Sequence, residues 1–157
     1  MTSAYAADIA TWRYPVPYDY NDMTGADAAF LVSPESGFFA LTDETGLIGF
    51  RSFGADGQVP GGEYDDSALD TGGGLRPDLT GKGLGREAIQ TGLDFGQQMF
   101  HPKAFRVTVL TSNIRAQRVI TAVGFRQASA FLAATDGRSF GIWIRSAAGN
   151  CAAPPSS

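Results

Sequence analysis

The sequence predicts a single α/β domain of the α+β kind, and three observations carry that prediction. Its 157 residues suffice for one sizeable core and are too few for two domains of usual size. Apolar runs of strand length stand at Gly37–Leu41, Leu47–Phe53 and Phe105–Thr111, the last alternating and β-branched. Two segments instead repeat at helical spacing: Ile89, Gly92, Leu93, Gly96 and Phe100, then Ala116, Val119, Ile120 and Val123.

The N-terminal stretch Asp8–Tyr20 is dense in aromatics and is interrupted by Pro15 and Pro17, which rule out a regular helix and favour an extended or turn path. Its Trp12, Tyr14 and Tyr18 either cover the edge of the core or line a pocket with apolar bodies and polar tips. Asp27–Val32 can supply a brief helix. Gly37–Leu41 and Leu47–Phe53 flank Thr42–Gly46 and form a hairpin, with Gly46 where a positive φ is needed. Gly54–Ser67, rich in Gly, Asp and Pro, is a loop long enough to suspect function. Within it, Pro60-Gly-Gly-Glu63-Tyr64 either closes over a ligand or is solvated surface.

Ala68–Leu75 then runs into a glycine turn. Gly72, Gly73 and Gly74 are poor strand formers, and glycine inside a strand often marks a bulge or the close approach of a ligand or another backbone. In the helix Arg86–Phe100, Gly92 and Gly96 each cost about 1 kcal/mol against alanine, which close packing on a sheet would justify. His101-Pro102 ends that helix, and His101, the only histidine, complements its dipole. Asn113 is a good N-cap for the next helix and Gly124 a C-cap glycine. Phe125–Ala134 and Ser139–Arg145 form a closing hairpin around Thr135-Asp-Gly-Arg138. Residues 1–146 are expected to be the domain, and 147–157, with Pro154 and Pro155, a disordered tail holding Cys151.

Charge and cysteine usage narrow the function classes. A net charge of -4 argues against nucleic acid or an anionic membrane as main partner and favours a cationic amine. The single cysteine excludes an internal disulfide and leaves nothing for a zinc cluster, so no metal is expected. No apolar run approaches the roughly 20 residues that span a bilayer. The N-terminus lacks a basic region followed by an apolar core, so a cytoplasmic location is expected.

Chemistry concentrates in Leu75-Arg-Pro-Asp-Leu-Thr80-Gly-Lys-Gly-Leu-Gly85-Arg86. Gly81, Gly83 and Gly85 alternate with Lys82, Leu84 and Arg86 before a helix begins. Alternate glycines let the backbone approach a ligand closely, and the free N–H groups and dipole of the helix start favour phosphate or pyrophosphate. A P-loop fails, because Arg76 stands where its first glycine belongs and Gly83 follows Lys82. A dinucleotide fingerprint is met formally by Gly83–Ala88, but no carboxylate follows at the distance that holds a ribose; Phe105–Leu110 stands there.

A second segment, Asn113-Ile-Arg-Ala116-Gln-Arg-Val-Ile120-Thr-Ala-Val-Gly124-Phe125, follows about 25 residues later. The two together resemble the GNAT superfamily of acyl-CoA N-acyltransferases over roughly residues 37–145. Thr80-Gly-Lys-Gly83-Leu-Gly85 matches the glycines of its pyrophosphate-cradling motif, with Thr80 where Arg or Gln is usual. Asn113, Ala116, Gly124 and Phe125 match its second motif, with Ile120 where a Tyr is common.

The resemblance implies a mixed, mostly antiparallel sheet flanked by helices, with acetyl-CoA as co-substrate. Leu75, Arg76, Thr80, Gly81, Lys82, Gly83, Leu84, Gly85, Arg86, Asn113, Ala116 and Arg118 are the expected cofactor residues. The unpaired N–H of Leu75 or a neighbour would polarise the thioester carbonyl. It also places the acceptor near the N-terminal region, hence Trp12, Tyr14 and Tyr18 as candidate acceptor residues. The expected reaction is direct transfer of an acetyl group to a primary amine of a small molecule or a peptide N-terminus. Asp70 is the first candidate for the base and Glu63 the second, provided burial raises the carboxyl pKa. Ile120 cannot donate a proton, so Tyr14, Tyr18 or Tyr64 substitutes as acid, or water does. Two alternatives stand beside this reading: a non-catalytic acyl-CoA-binding module of the same fold, and a nucleotide- or phosphate-binding protein. The sequence leaves open the amine and whether two copies form a homodimer.

Overall fold

A computed structural model describes residues 1–147; Cys151 and the rest of the expected tail from residue 148 lie outside the described residues. Six strands form one sheet: β1 (Phe38–Asp43), β2 (Gly46–Phe53), β3 (Leu69–Leu75), β4 (Ala104–Leu110), β5 (Arg126–Leu132) and β6 (Ser139–Ser146). Their spatial order is β1-β2-β3-β4-β6-β5. Every neighbouring pair is antiparallel except β3 and β4. The mixed, mostly antiparallel sheet is therefore as expected.

Helices cover both faces. On one, α1 (Ser3–Ile9) and α2 (Ala28–Val32) bury Ala6, Ile9 and Leu31 against Phe38, Leu47 and Phe50. On the other, α3 (Gly85–Phe100) and α4 (Ile114–Ala122) bury Leu93 and Ile120 against Phe53, Phe105 and Val107. Side chains alternate across a strand, so Phe50 belongs to the first face and Arg51 and Phe53 to the second.

Local chemistry explains most boundaries. Asp27 caps α2 by accepting from the Ala29 N–H (3.0 Å), and Asn113 caps α4 through Ala116 (3.1 Å). Gly46 turns the first hairpin at φ 117°. Helix α3 ends at His101, which is left-handed at φ 48°. The N-terminus differs from expectation: α1 runs to Ile9, capped by Thr2, and the prolines act only beyond it. The three glycines of β3 are paired along β2 from Thr71 to Leu75, because the neighbouring strand supplies the order their own propensity lacks.

One irregularity creates the site. Strand β3 pairs with β4 only at Leu69–Phe105 and Asp70–Arg106. Beyond Asp70 the two parallel strands separate, leaving the β4-facing edge of residues 71–75 unpaired with another strand.

Candidate functional site

A cleft of about 1240 Å³ opens at this splay. Its floor is Thr71–Leu75 of β3 and Val107–Leu110 of β4. One wall is the glycine turn with the starts of α3 and α4: Thr80, Gly81, Gly83, Gly85, Arg86, Asn113, Ala116 and Arg118. Tyr14, Tyr18, Tyr20, Asp22 and Asp56 also line the cleft.

The glycine turn leaves its backbone open. Gly81 and Gly83 have φ of 73° and 81°, which side-chain-bearing residues rarely adopt. A Cβ placed on either would meet no protein atom within 4 Å. No side chain caps α3, so its first amides face solvent beside Arg86. An open, uncapped helix start with positive charge beside it suits a diphosphate.

The splayed strand supplies oriented backbone groups. The Arg76 N–H donates to the Ile48 carbonyl (2.8 Å), so Arg76 points at β2 and, by alternation, Leu75 and Gly73 point into the splay. The Leu75 carbonyl accepts from the Tyr14 hydroxyl at 2.7 Å. That leaves the inward-facing amides of Gly73 and Leu75 free to polarise a carbonyl laid between the strands.

The rest of the lining carries acidic and aromatic side chains. Burial pushes the Tyr14 phenol up to about 12; Asp22 adds to this and Arg115 opposes it. Tyr14 therefore keeps its proton and is a poor acid. The Arg115 guanidinium lies 3.9 Å from the centroid of the Tyr18 ring. Asp56 is exposed overall yet lines the cleft, where desolvation raises its carboxyl above the usual range.

Tyr14 gives a pH signature. In the unfolded chain its phenol ionises near pH 10, in the folded protein near 12, so this contribution is intact below pH 10 and is lost as pH rises. Stability should fall by about 2–3 kcal/mol between pH 10 and 12 on this account. Denaturant titrations of Tyr14→Phe should lack that part of the alkaline slope; an unchanged slope would show that Tyr14 is not the group responsible.

Several expected site residues are elsewhere. Asp70 is 4% exposed and bound on both oxygens: Arg106 Nε donates to Oδ1 (2.6 Å), and Arg106 Nη2 (2.8 Å) and Gln58 (2.9 Å) donate to Oδ2. It is a buried ion-pair partner, not an available base. Glu63 is exposed and outside the cleft lining. The Tyr64 hydroxyl is held between the Val59 N–H and the Thr108 hydroxyl, 2.9 Å from each, with Arg106 over its ring, so its role is to brace the loop.

Trp12 is 4% exposed, packs in the core against Phe50 and donates to Asp8 (3.1 Å), so it does not line an acceptor pocket. Arg76 turns its guanidinium to the Leu47 carbonyl and away from the cleft, and the side chains of Lys82 and Leu84 are exposed beside the lining rather than in it. Thr80, Gly81, Gly83, Gly85, Arg86, Asn113, Ala116, Arg118, Leu75, Tyr14 and Tyr18 do come together at the cleft. Ile120 is 4% exposed and apolar at its end of the cleft. Sequence reasoning missed Asp56, although a carboxylate directly after a core strand was the available signal. It also missed Arg51, a lone cation inside the apolar run Leu47–Phe53.

Comparison with known proteins agrees with this architecture. Residues 1–126 match the family described as an acetyltransferase (GNAT) domain. The chain belongs to the GNAT acetyltransferase family. No curated protein sequence matches it. Among solved structures it is similar to a chimera of the Vibrio cholerae spermidine N-acetyltransferase SpeG with hSSAT, at 14% identity and a TM-score of 0.71, over 94% of this chain and 93% of that one. It is also similar to a ribosomal-protein-S5-alanine acetyltransferase from Vibrio fischeri, at 16% identity and 0.64, over 93% and 90%. A GNAT-family acetyltransferase from Bacillus anthracis matches at 16% and 0.62, over 93% and 87%. At such identities these structures establish the shared fold. Proteins of the family use acetyl-CoA in general, and no helix among the described residues is long and apolar enough to cross a membrane.

Proposed function

We propose that this protein moves an acyl group, acetyl being the smallest, from a coenzyme A thioester directly to a primary amine of a small molecule or a protein N-terminus in the cytoplasm. The observation that carries the proposal is the open glycine turn set in the wall of the β3–β4 splay. The turn and the start of α3 hold the diphosphate, with Arg86 and Arg118 beside it. Pantetheine lies along the free edge of β3, and the Gly73 and Leu75 amides receive the charge that builds on the thioester oxygen.

The amine enters past Tyr14, Tyr18 and Asp22, where acidic groups attract an ammonium. Asp56 takes its proton, directly or through water, with a carboxyl pKa that desolvation in the cleft has raised. Tyr18, the cleft phenol beside Arg115, or water returns a proton to the departing thiolate. Ile120 at the usual tyrosine position favours one rival, a module that binds acyl-CoA without turnover.

A melting-temperature titration with acetyl-CoA, followed by a thiol-release screen across polyamines, amino acids and peptide N-termini, tests the proposal. Binding with no release from any amine would favour the rival; protection by ATP but not by CoA esters would overturn both. Gly83→Val should still fold, because its Cβ has room, at a cost of about 1–2 kcal/mol for the left-handed backbone. Its melting temperature should no longer respond to acetyl-CoA. A wild-type response would mean that the diphosphate binds elsewhere.

A further inference from the structure

We infer that Arg51 receives a carboxylate at the far end of the acyl chain, so that the preferred donor is a carboxyacyl coenzyme A, the monothioester of a short dicarboxylic acid. The inference rests on the acyl-CoA reading above and names its donor class.

Arg51 is 7% exposed, and a buried guanidinium is ordinarily paired. Among the described residues no carboxylate pairs with it; the ion pairs there involve Arg76, Arg106 and Arg138. Its one hydrogen bond is from Nη2 to the Thr71 hydroxyl (3.0 Å), and Nε has no partner. Burial lowers its pKa only to about 10, so it stays charged at neutral pH.

The chain makes room for this side chain on two sides. A Cβ on Gly73 of β3 would fall 2.7 Å from Nη1, and one on Gly92 of α3 would fall 2.7 Å from Cγ. Arg51 and Thr71 both line the cleft, where β3 and β4 rejoin at Asp70. The guanidinium is thus an unpaired cation, walled by glycines, at the closed end of the acyl slot.

Position identifies the anion. Gly92 lies eight residues, about 12 Å, along α3 from Leu84, which is too far for the diphosphate at the helix start. A thioester beside Gly73 would be about 7 Å along the strand from Thr71. Two or three methylenes and a carboxylate–guanidinium contact span that distance. The acceptor enters from the other face of the sheet, past Asp22 and Asp56, so the carboxylate arrives with the acyl group. In the reaction the amine nitrogen bonds to the thioester carbon, the C–S bond breaks, the amine proton passes to Asp56 and the thiolate is protonated. The distal carboxylate is unchanged.

The test compares succinyl-CoA with butyryl-CoA, which has the same four carbons without the charge, by calorimetry on the wild-type protein. A charge-assisted hydrogen bond to a buried partner predicts that succinyl-CoA binds about tenfold or more tightly. Arg51→Met should abolish the preference while leaving free CoA binding intact, and Arg51→Lys should keep part of it. Equal affinities in the wild type, or a preference that survives in Arg51→Met, would overturn the inference. So would a preference confined to carboxylated amine acceptors, which would place the anion on the acceptor. Failure of every CoA ester to bind would instead overturn the acyl-CoA reading beneath it.

Discussion

Replacing Asp70 with alanine is expected to destabilise the fold by about 3–5 kcal/mol, because it leaves the Arg106 guanidinium buried without its bidentate partner. Arg106 is 3% exposed and would keep only its hydrogen bonds to Asp65 and the Ala68 carbonyl and its place over the Tyr64 ring. The pair also joins β3 to β4 at the last register position before they part, so its loss should loosen the root of the splay. The double variant Asp70→Leu/Arg106→Met should be less damaging than the sum of the single changes, since apolar groups of similar volume can replace a buried ion pair at little cost. Denaturant titration of the four proteins measures this coupling. Strict additivity, or an Asp70→Ala variant as stable as wild type but without turnover, would return Asp70 to the role of base.

Replacing Asp56 with asparagine is expected to lower kcat/KM for the amine by about 10²–10⁴-fold, the usual range for losing a positioned base. The affinity for the CoA ester should be unchanged, because Asp56 is proposed to act on the amine. The pH profile supplies the sharper test. A base must be ionised to act, so wild-type kcat/KM should rise with pH through a limb that belongs to Asp56, displaced upward by desolvation of its carboxyl in the cleft. In Asp56→Asn that limb should vanish. A variant that keeps both rate and limb would mean that another group takes the proton.

The two carboxylates show how far local sequence carries a functional argument. Asp70 lies in the strand that enters the site, which marks it in the sequence as a candidate base; Asp56 lies in the loop whose other end holds Glu63 and Tyr64. Nothing local separates them. What separates them is a partner 36 residues from Asp70 along the chain, Arg106, which the parallel pairing of β3 and β4 brings alongside. Tyr14 is a similar case, its hydroxyl committed to a carbonyl 61 residues away. Trp12 was legible as an aromatic that could be core or pocket, and only the packing of α1 on β2 decided for core.

The sequence by itself determined the periodicities of α3 and α4, the first and last hairpins, the caps at Asn113 and Gly124, and the glycine turn with its positive-φ residues, together with the family resemblance. These follow from side-chain spacing, steric freedom and hydrogen bonds within a few residues, which neighbours in the chain set. Tertiary structure alone decided the splay after Asp70, the engagement of Asp70 and Tyr64 by distant partners, the burial of Trp12, and the isolation of Arg51. Whether a polar group is free to act depends on what faces it from distant segments, and burial makes each unpaired charge and each satisfied one physically different.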